Sequence, residues 1–384
     1  MKILYFALGG RGGSDKALTD LLSVLCRRYD VEPLVVCSMT GIIPDLEKLR
    51  IPYMHYNYEW ALKPLTNTIK DRILYYPRLL KGMLKRKIDL IRFSKLVATF
   101  RPDIIHSNVG VINIGFHLGR ETGIPHVWHL REYQTIDHGM KYIWGMRNLK
   151  ASLRKNRYNI GITKGIYDFF ELQKPAIHIY DGVRSKRDEL NIRQPDGYFL
   201  FAGFLFAGKG VDNLLEAYKD YADKGGNSEL YLLGRFDENN GFHRQLKKYA
   251  EENNLHGVKF LGFRNDVDDL MSKATAVIVS SKFEAFGRVA CEAMFNGTLV
   301  IGRDTAGTKE QMDNLDSFAG KEISLRYQSQ EQLVDRMFEA DRINQDERQK
   351  ILEVQFDTVN KLYTNEKSAT QIYNYYTDII NRKL

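Results

Sequence analysis

Ser280-Ser281-Lys282-Phe283-Glu284-Ala285-Phe286-Gly287-Arg288-Val289-Ala290-Cys291-Glu292-Ala293-Met294 is the stretch on which the fold turns. The residues leading into it are apolar or β-branched, so 275–280 reads as a strand buried on both faces. A loop carrying Glu284 follows, and a helix is expected over 288–296, beginning beside Gly287. Glu292 then lies about one and a half turns into that helix. Backbone N–H groups of Phe286, Gly287 and Arg288 would converge at the helix start as a site for an anion. Carboxylates on either side suit a ligand that is phosphate in the middle and polyhydroxyl at its ends, since each accepts hydrogen bonds from a diol. Spacing alone is weak support, because Glu331 and Glu339 repeat it in what reads as an ordinary surface helix.

The same alternation of buried run and amphipathic helix extends outward in both directions. Downstream, 298–303 reads as a strand and 309–315 as a helix, with 328–384 mostly helical. Upstream, strands are expected at 198–203, 228–233 and 258–261, and helices at 210–224, 242–253 and 265–273. The first half repeats the pattern, with strands at 2–8, 31–37, 53–56, 104–107, 125–130, 159–163 and 176–180. Helices are expected there at 16–28, 42–48 and 109–121. A charged, polar stretch at 184–197 reads as an interdomain linker. The expected fold is α/β, with two doubly wound Rossmann-like domains facing across a cleft. The domains are 1–186 and 187–365, and 366–384 forms a last helix packing back on the first. No repeat of 20 to 50 residues marks a solenoid.

A length of 384 residues exceeds one ordinary core, and a 43% hydrophobic, 27% charged composition belongs to a folded chain. Neither a membrane-spanning run nor a secretory leader is expected. Cys26, Cys37 and Cys291 are too few and too scattered for a disulfide framework or a zinc site, which points to a reducing cytoplasm. The net charge of +8 is concentrated: residues 60–101 hold eleven Lys or Arg and two Asp, or +9, leaving −1 for the rest. Leu62, Leu65, Ile73, Leu80, Leu84, Ile88 and Ile91 interleave with these cations at helical spacing. That pattern fits an interfacial helix on an anionic membrane, although a solvated helix face over the core would look similar. Nucleic acid would use the same charge but not the apolar residues, and is not expected as a partner.

Two further loops invite phosphate. Gly9-Gly10-Arg11-Gly12-Gly13 joins the first strand to the first helix, where backbone can approach a ligand closely. It lacks the Gly-x-Gly-x-x-Gly order of dinucleotide sites, which disfavours a nicotinamide-dependent dehydrogenase, and a tight turn that binds nothing would use the same glycines. Gly208-Lys209-Gly210 places a point charge in a glycine-flanked βα loop.

Residues 198–315 resemble the retaining glycosyltransferases of family 4, the "glycosyl transferases group 1" set with the GT-B fold. The matching pieces are Phe201-Ala202-Gly203, Lys209-Gly210, Leu232-Leu233-Gly234, Phe260-Leu261-Gly262-Phe263, Glu284-Ala285-Phe286-Gly287-Arg288, Glu292-Ala293-Met294, Gly297, Gly307 and Glu310. A weaker likeness reaches the first half through the glycine loop, Ile105-His106-Ser107 and Trp128-His129-Leu130-Arg131-Glu132. The resemblance implies that Glu284 binds hydroxyls of a donor sugar and Glu292 the ribose of its nucleotide. Lys209 would neutralise the diphosphate, with backbone N–H groups at Phe286, Gly287, Arg288, Gly12 and Gly13. Gly203 would also belong to the donor-binding residues, the base lies near Phe263 and Arg264, and His129 reaches the sugar from the first domain. The family arginine that follows the glycine at 203 is replaced by Phe204, and Arg288 or Arg11 would have to compensate for it.

What this implies is a nucleotide-sugar-dependent hexosyltransferase that retains configuration, taking a UDP- or GDP-sugar with no cofactor and no metal. The acceptor would be a glycan or a lipid-linked glycan in capsule, exopolysaccharide or lipopolysaccharide synthesis. The location would be cytoplasmic, peripheral on the inner face of the membrane through 60–101. A GT-B nucleotide-sugar epimerase and a non-catalytic sugar-nucleotide-binding subunit are the alternatives.

Overall fold

The computed structural model describes residues 1–383 apart from Leu65, Asn67 and Met140, with His138 described in its backbone alone. Leu65 of the basic segment and the terminal Leu384 therefore lie outside the described residues. The chain forms two compact units, Met1–Gly182 with Asn365–Leu384, and Val183–Thr364. Sequence reading sets the boundaries at 186/187 and 365/366. The chain passes between units at 182/183 and again at 364/365.

In the first unit seven parallel strands lie in the order β3-β2-β1-β4-β5-β6-β7. They are β1 Lys2–Ala7, β2 Glu32–Cys37, β3 Tyr53–His55, β4 Ile104–Ser107, β5 His126–Leu130, β6 Tyr158–Gly161 and β7 Ile177–His178. Successive side chains point to opposite faces of a strand, and β1 uses both. Ile3, Tyr5 and Ala7 pack with Leu18, Leu22 and Tyr376, while Leu4 and Phe6 pack with Phe93, Val97 and Ile105. Burial on both faces is why these strands read as unbroken apolar runs. The last helix, Asn365–Ile380, buries Ile372, Tyr375, Tyr376 and Ile379 in the first of these cores.

The second unit has six strands in the order β10-β9-β8-β11-β12-β13. These are β8 Tyr198–Ala202, β9 Glu229–Leu233, β10 Val258–Gly262, β11 Ala276–Val279, β12 Leu299–Arg303 and β13 Leu325–Tyr327. Phe199, Phe201, Leu230, Leu232, Ile278 and Ile301 share one core with the helices that cover that face. In both units strand order reverses direction next to the first strand, between β1 and β4 and between β8 and β11. Ligands of such sheets bind beyond the carboxyl ends of the strands at that reversal.

The structure departs from the sequence reading in three places. The helix expected over 109–121 begins only at Ile114 and runs to Thr122. Val109, Val111 and Ile112 are apolar because a loop carries them into the core, not because they line a helix face. Strand β13 was not expected, since three residues are too short to show a period. The helices Thr135–His138, Met146–Lys155 and Lys164–Phe169 were also not foreseen. The basic segment is mostly one helix, Tyr75–Phe100, of 26 residues. No helix among the described residues is long and apolar enough to cross a membrane.

Candidate functional site

At the reversal in the second unit, the loops after β8 and β11 are tied together. Lys209 ends a short 3-10 turn, and Gly210 follows with φ 66°. A Cβ on Gly210 would sit 2.1 Å from the Ser280 carbonyl oxygen, so only glycine lets the two loops approach. The Ser280 hydroxyl donates to the Lys209 carbonyl at 2.8 Å, and the Lys282 N–H to the Gly208 carbonyl at 3.0 Å. These ties set the Lys209 ammonium 2.5 Å from Glu284 Oε2, which also accepts from the Ser281 hydroxyl at 2.9 Å. Both partners are about three-quarters or more covered yet still open to solvent. A lysine and a carboxylate at a strand reversal offer a cation to an anion and two acceptor oxygens to hydroxyls.

Gly287 then turns the chain with φ 86°, and the helix Arg288–Phe295 begins. A second loop supports this turn. The Gly307 N–H donates to the Glu284 carbonyl at 2.7 Å, and the Gln311 amide donates to the carbonyls of Phe286 and Gly287 at 2.5 and 3.2 Å. Gln311 Oε1 and Thr308 Oγ1 are buried with no hydrogen-bond partner among the described residues. A Cβ on Gly287 would lie 3.4 and 3.5 Å from them and 3.3 Å from Glu284 Cγ, so all three groups crowd one turn. Sequence reasoning passed over Thr308 and Gln311. The available signal was their place in the first turns of the next helix, Ala306–Ala319.

The other expected contacts are distributed as follows. Glu292 lies 4.0 Å from Arg288 Nε, and Arg288 Nη2 donates to the Val183 carbonyl at 3.4 Å. Phe286 turns its ring inward, edge-on to Tyr363 at 5.5 Å, leaving only its backbone for a ligand. Gly203, Gly234 and Gly262 form adjacent turns along the strand ends, the Gly203 N–H bonding Leu233 and the Gly234 N–H bonding Gly262. Phe263 stands 77% exposed beyond them, and Arg264 grips Asp266 through Nε at 2.8 Å and Nη2 at 2.5 Å. Phe204 is 63% exposed.

Gly12, Gly13 and His129 belong to the first unit. Gly12 caps the helix that Gly13 begins. Asp15 folds back on the glycine loop and accepts from the Gly9 N–H at 2.9 Å. Burial raises the Asp15 carboxyl above its usual range despite this bond. Across the reversal, the Asn108 amide donates to the Ser14 carbonyl at 3.0 Å, and Arg131 Nε donates to Asn108 Oδ1 at 3.2 Å. Arg131 also pairs with the buried Asp181.

Arg131 Nη2 lies 3.3 Å from His129 Nδ1. Guanidinium only donates, so Nδ1 accepts and the neutral ring carries its proton on Nε2. Burial first, then Arg131 and His106, hold this histidine well below its ordinary pKa and hence neutral. Its Nε2 has no hydrogen-bond partner among the described residues. Three positions beyond Arg131, Gln134 is fully buried at φ 65°, with neither amide atom partnered among the described residues. A Cβ on Gly110 would come 2.3 Å from Gln134 Nε2 and 3.3 Å from Glu132 Oε1. Glu132 accepts from the Gly110 N–H at 2.8 Å, yet burial, and then Asp137, push its carboxyl up to about 8.

A carboxyl raised on folding keeps its proton only in the folded chain between its unfolded value and about 8, so stability falls as pH rises through that window. Glu132→Gln removes the penalty. The variant is expected to unfold at higher denaturant than wild type at pH 8.5 and at a similar concentration near pH 4.5. An unchanged pH profile of the first unit's transition would contradict this assignment.

Two parallel-sheet Rossmann-like units with this arrangement make up the fold of the GT-B glycosyltransferases. Residues 183–349 match the family model described as glycosyl transferases group 1. The chain is 26% identical over 286 residues to an uncharacterized glycosyltransferase of Methanocaldococcus jannaschii, covering 72% of this chain and 76% of that one. It is also 26% identical over 288 residues to an uncharacterized 42.6 kDa protein in the cps region of Klebsiella pneumoniae, covering 68% and 72%. Among solved structures it is similar to Anabaena HepE in complex with UDP-glucose, with a TM-score of 0.73 and 18% identity over 98% of this chain and 100% of that one.

Proposed function

We propose that the chain is a retaining glycosyltransferase that moves a sugar from a UDP- or GDP-linked donor to a glycan or lipid-linked acceptor. The observation that carries this is the Lys209–Glu284 pair at 2.5 Å, set at the strand reversal beside the Gly287 turn. A diphosphate entering there meets the ammonium of Lys209 and the start of the helix Arg288–Phe295. Glu284 turns its acceptor oxygens to sugar hydroxyls, and Glu292, on the second turn, to the ribose. The bond between anomeric carbon and diphosphate oxygen breaks through an oxocarbenium-like state, and the acceptor oxygen bonds the same face. Its proton leaves with the diphosphate, whose charge Lys209 and the helix start stabilise. No metal is required in this scheme. Binding of UDP-glucose by the Anabaena protein supports a nucleotide-sugar donor, and the cps-region relative supports polysaccharide synthesis. The chain would act in the cytoplasm, at the inner face of the membrane through residues 60–101.

Thermal-shift screening against UDP- and GDP-sugars tests the donor, since a ligand that binds only the folded chain raises its melting temperature with occupancy. Glu292→Ala is expected to weaken the donor that scores best roughly ten- to hundred-fold, the range for hydrogen bonds to a charged group. Unchanged affinity and turnover in that variant would remove Glu292 from the site. A second reading, a non-catalytic sugar-nucleotide-binding subunit, is favoured by the exposed Phe204 in place of the family arginine. Turnover of the donor by the purified chain decides between the two.

A further inference from the structure

The helix Tyr75–Phe100 buries Gly82, Asp89, Phe93 and Val97. At about 100° per residue, Tyr76, Leu80, Leu84, Ile88 and Ile91 fall within an arc of roughly 120° on the opposite side. These five are 76%, 60%, 55%, 60% and 62% exposed. Single exposed apolar residues are ordinary, but a continuous stripe about 22 Å long is not. Ile69 and Ile73, in the preceding helix Ile69–Ile73, are 78% and 71% exposed.

The charge around the stripe is not balanced from within. Both acids of the segment are committed elsewhere. Asp71 accepts from Arg78 at 2.6 Å and caps its own helix through Thr68. Asp89 is 1% exposed, accepting from the Tyr56 hydroxyl at 2.9 Å and the Glu59 N–H at 2.8 Å, with Lys85 at 3.2 Å. Lys70, Lys81, Lys87 and Lys95 are exposed and form no ion pair among the described residues.

We infer that this stripe is the face by which the first unit lies in the interface of an anionic bilayer, apolar side chains among the acyl chains and lysines at the headgroups. A second copy of the chain is a poorer occupant, because apposing two such stripes would bring like-charged flanks together. Nucleic acid would leave the apolar residues in water. The inference names the partner of the acceptor-side unit and to that extent rests on the transfer reading.

The test uses the full chain and floats it with vesicles of phosphatidylcholine alone, or with about one part in three phosphatidylglycerol. Wild type is expected to float only with the anionic vesicles, and less so in high salt. The double variant Leu84→Ser/Ile88→Ser should lose at least about ten-fold in partitioning. Lys81→Glu/Lys87→Glu should lose roughly twenty-fold or more, at about five-fold for each charge removed. All four positions are exposed, so the variants should melt with wild type. Equal or negligible flotation with both vesicles overturns the inference, as does an undiminished Leu84→Ser/Ile88→Ser variant. A dimer in vesicle-free solution that this variant dissolves, without flotation of wild type, would make the stripe an interface between copies. Donor thermal shifts measured on the same samples keep the two readings separate: their loss counts against transfer and leaves flotation standing.

Discussion

Lys209→Ala is expected to lower sugar transfer about 100- to 1000-fold, the range for removing one preorganised group that stabilises a developing anion. The ammonium stands 2.5 Å from Glu284, on a loop fastened to Ser280 and Lys282 by backbone and hydroxyl bonds. It is held in place before any donor arrives, so it pays no reorganisation cost when the diphosphate leaves. Truncation also strips Glu284 of its cation, leaving the Ser281 hydroxyl on that carboxylate oxygen. Donor affinity should therefore fall along with turnover. Lys209→Arg keeps the charge but replaces a point donor with a planar fork, so partial recovery is expected. Because the side chain points out of the core, thermal melting of Lys209→Ala should stay close to wild type. Near-normal turnover in a correctly folded Lys209→Ala would exclude the diphosphate role.

Gly210→Ala is expected to cost roughly 2–4 kcal/mol of stability in the second unit, combining backbone strain with a clash. Its φ is 66°, and a Cβ would meet the Ser280 carbonyl oxygen at 2.1 Å. Relief requires the loops after β8 and β11 to separate, which draws Lys209 from Glu284, so transfer should fall as well. Gly225 is the control. Its φ is 87°, but a Cβ there meets nothing within 4 Å. Gly225→Ala should lose only about 1 kcal/mol, the price of a left-handed backbone at a non-glycine residue. Equal losses at the two positions, measured by denaturant unfolding, would show that the approach of the loops is not what Gly210 serves.

Much of the parallel-sheet architecture was open to reading because strands buried on both faces announce themselves as apolar runs. The order of the strands was not, since Tyr5 pairing with both Val35 and His106 is a fact of register between distant segments. The same holds at the site. Sequence alone puts Glu284 on a loop and Lys209 on another, 75 residues apart, with no means of saying that they touch. Nor can it show that Asp15 turns back on the glycine loop to accept the Gly9 N–H, a contact that only the folded loop makes. Gln134, Gln311 and Thr308 escaped notice because Gln and Thr are unremarkable until burial leaves at least one polar atom of each without a partner among the described residues.

For the Ser280–Met294 stretch itself, sequence determined a buried strand, a glycine turn and a helix bearing a second carboxylate, since periodicity and glycine placement are local properties. Likewise it determined that residues 60–101 are both basic and apolar. Only tertiary structure decided which apolar residues there reach the core and which stay bare, because Phe93 and Ile91 differ by 200° of helix rotation and not by chemistry. Only tertiary structure set Lys209 upon Glu284, because hydrogen bonds between two βα loops exist once β8 and β11 are side by side.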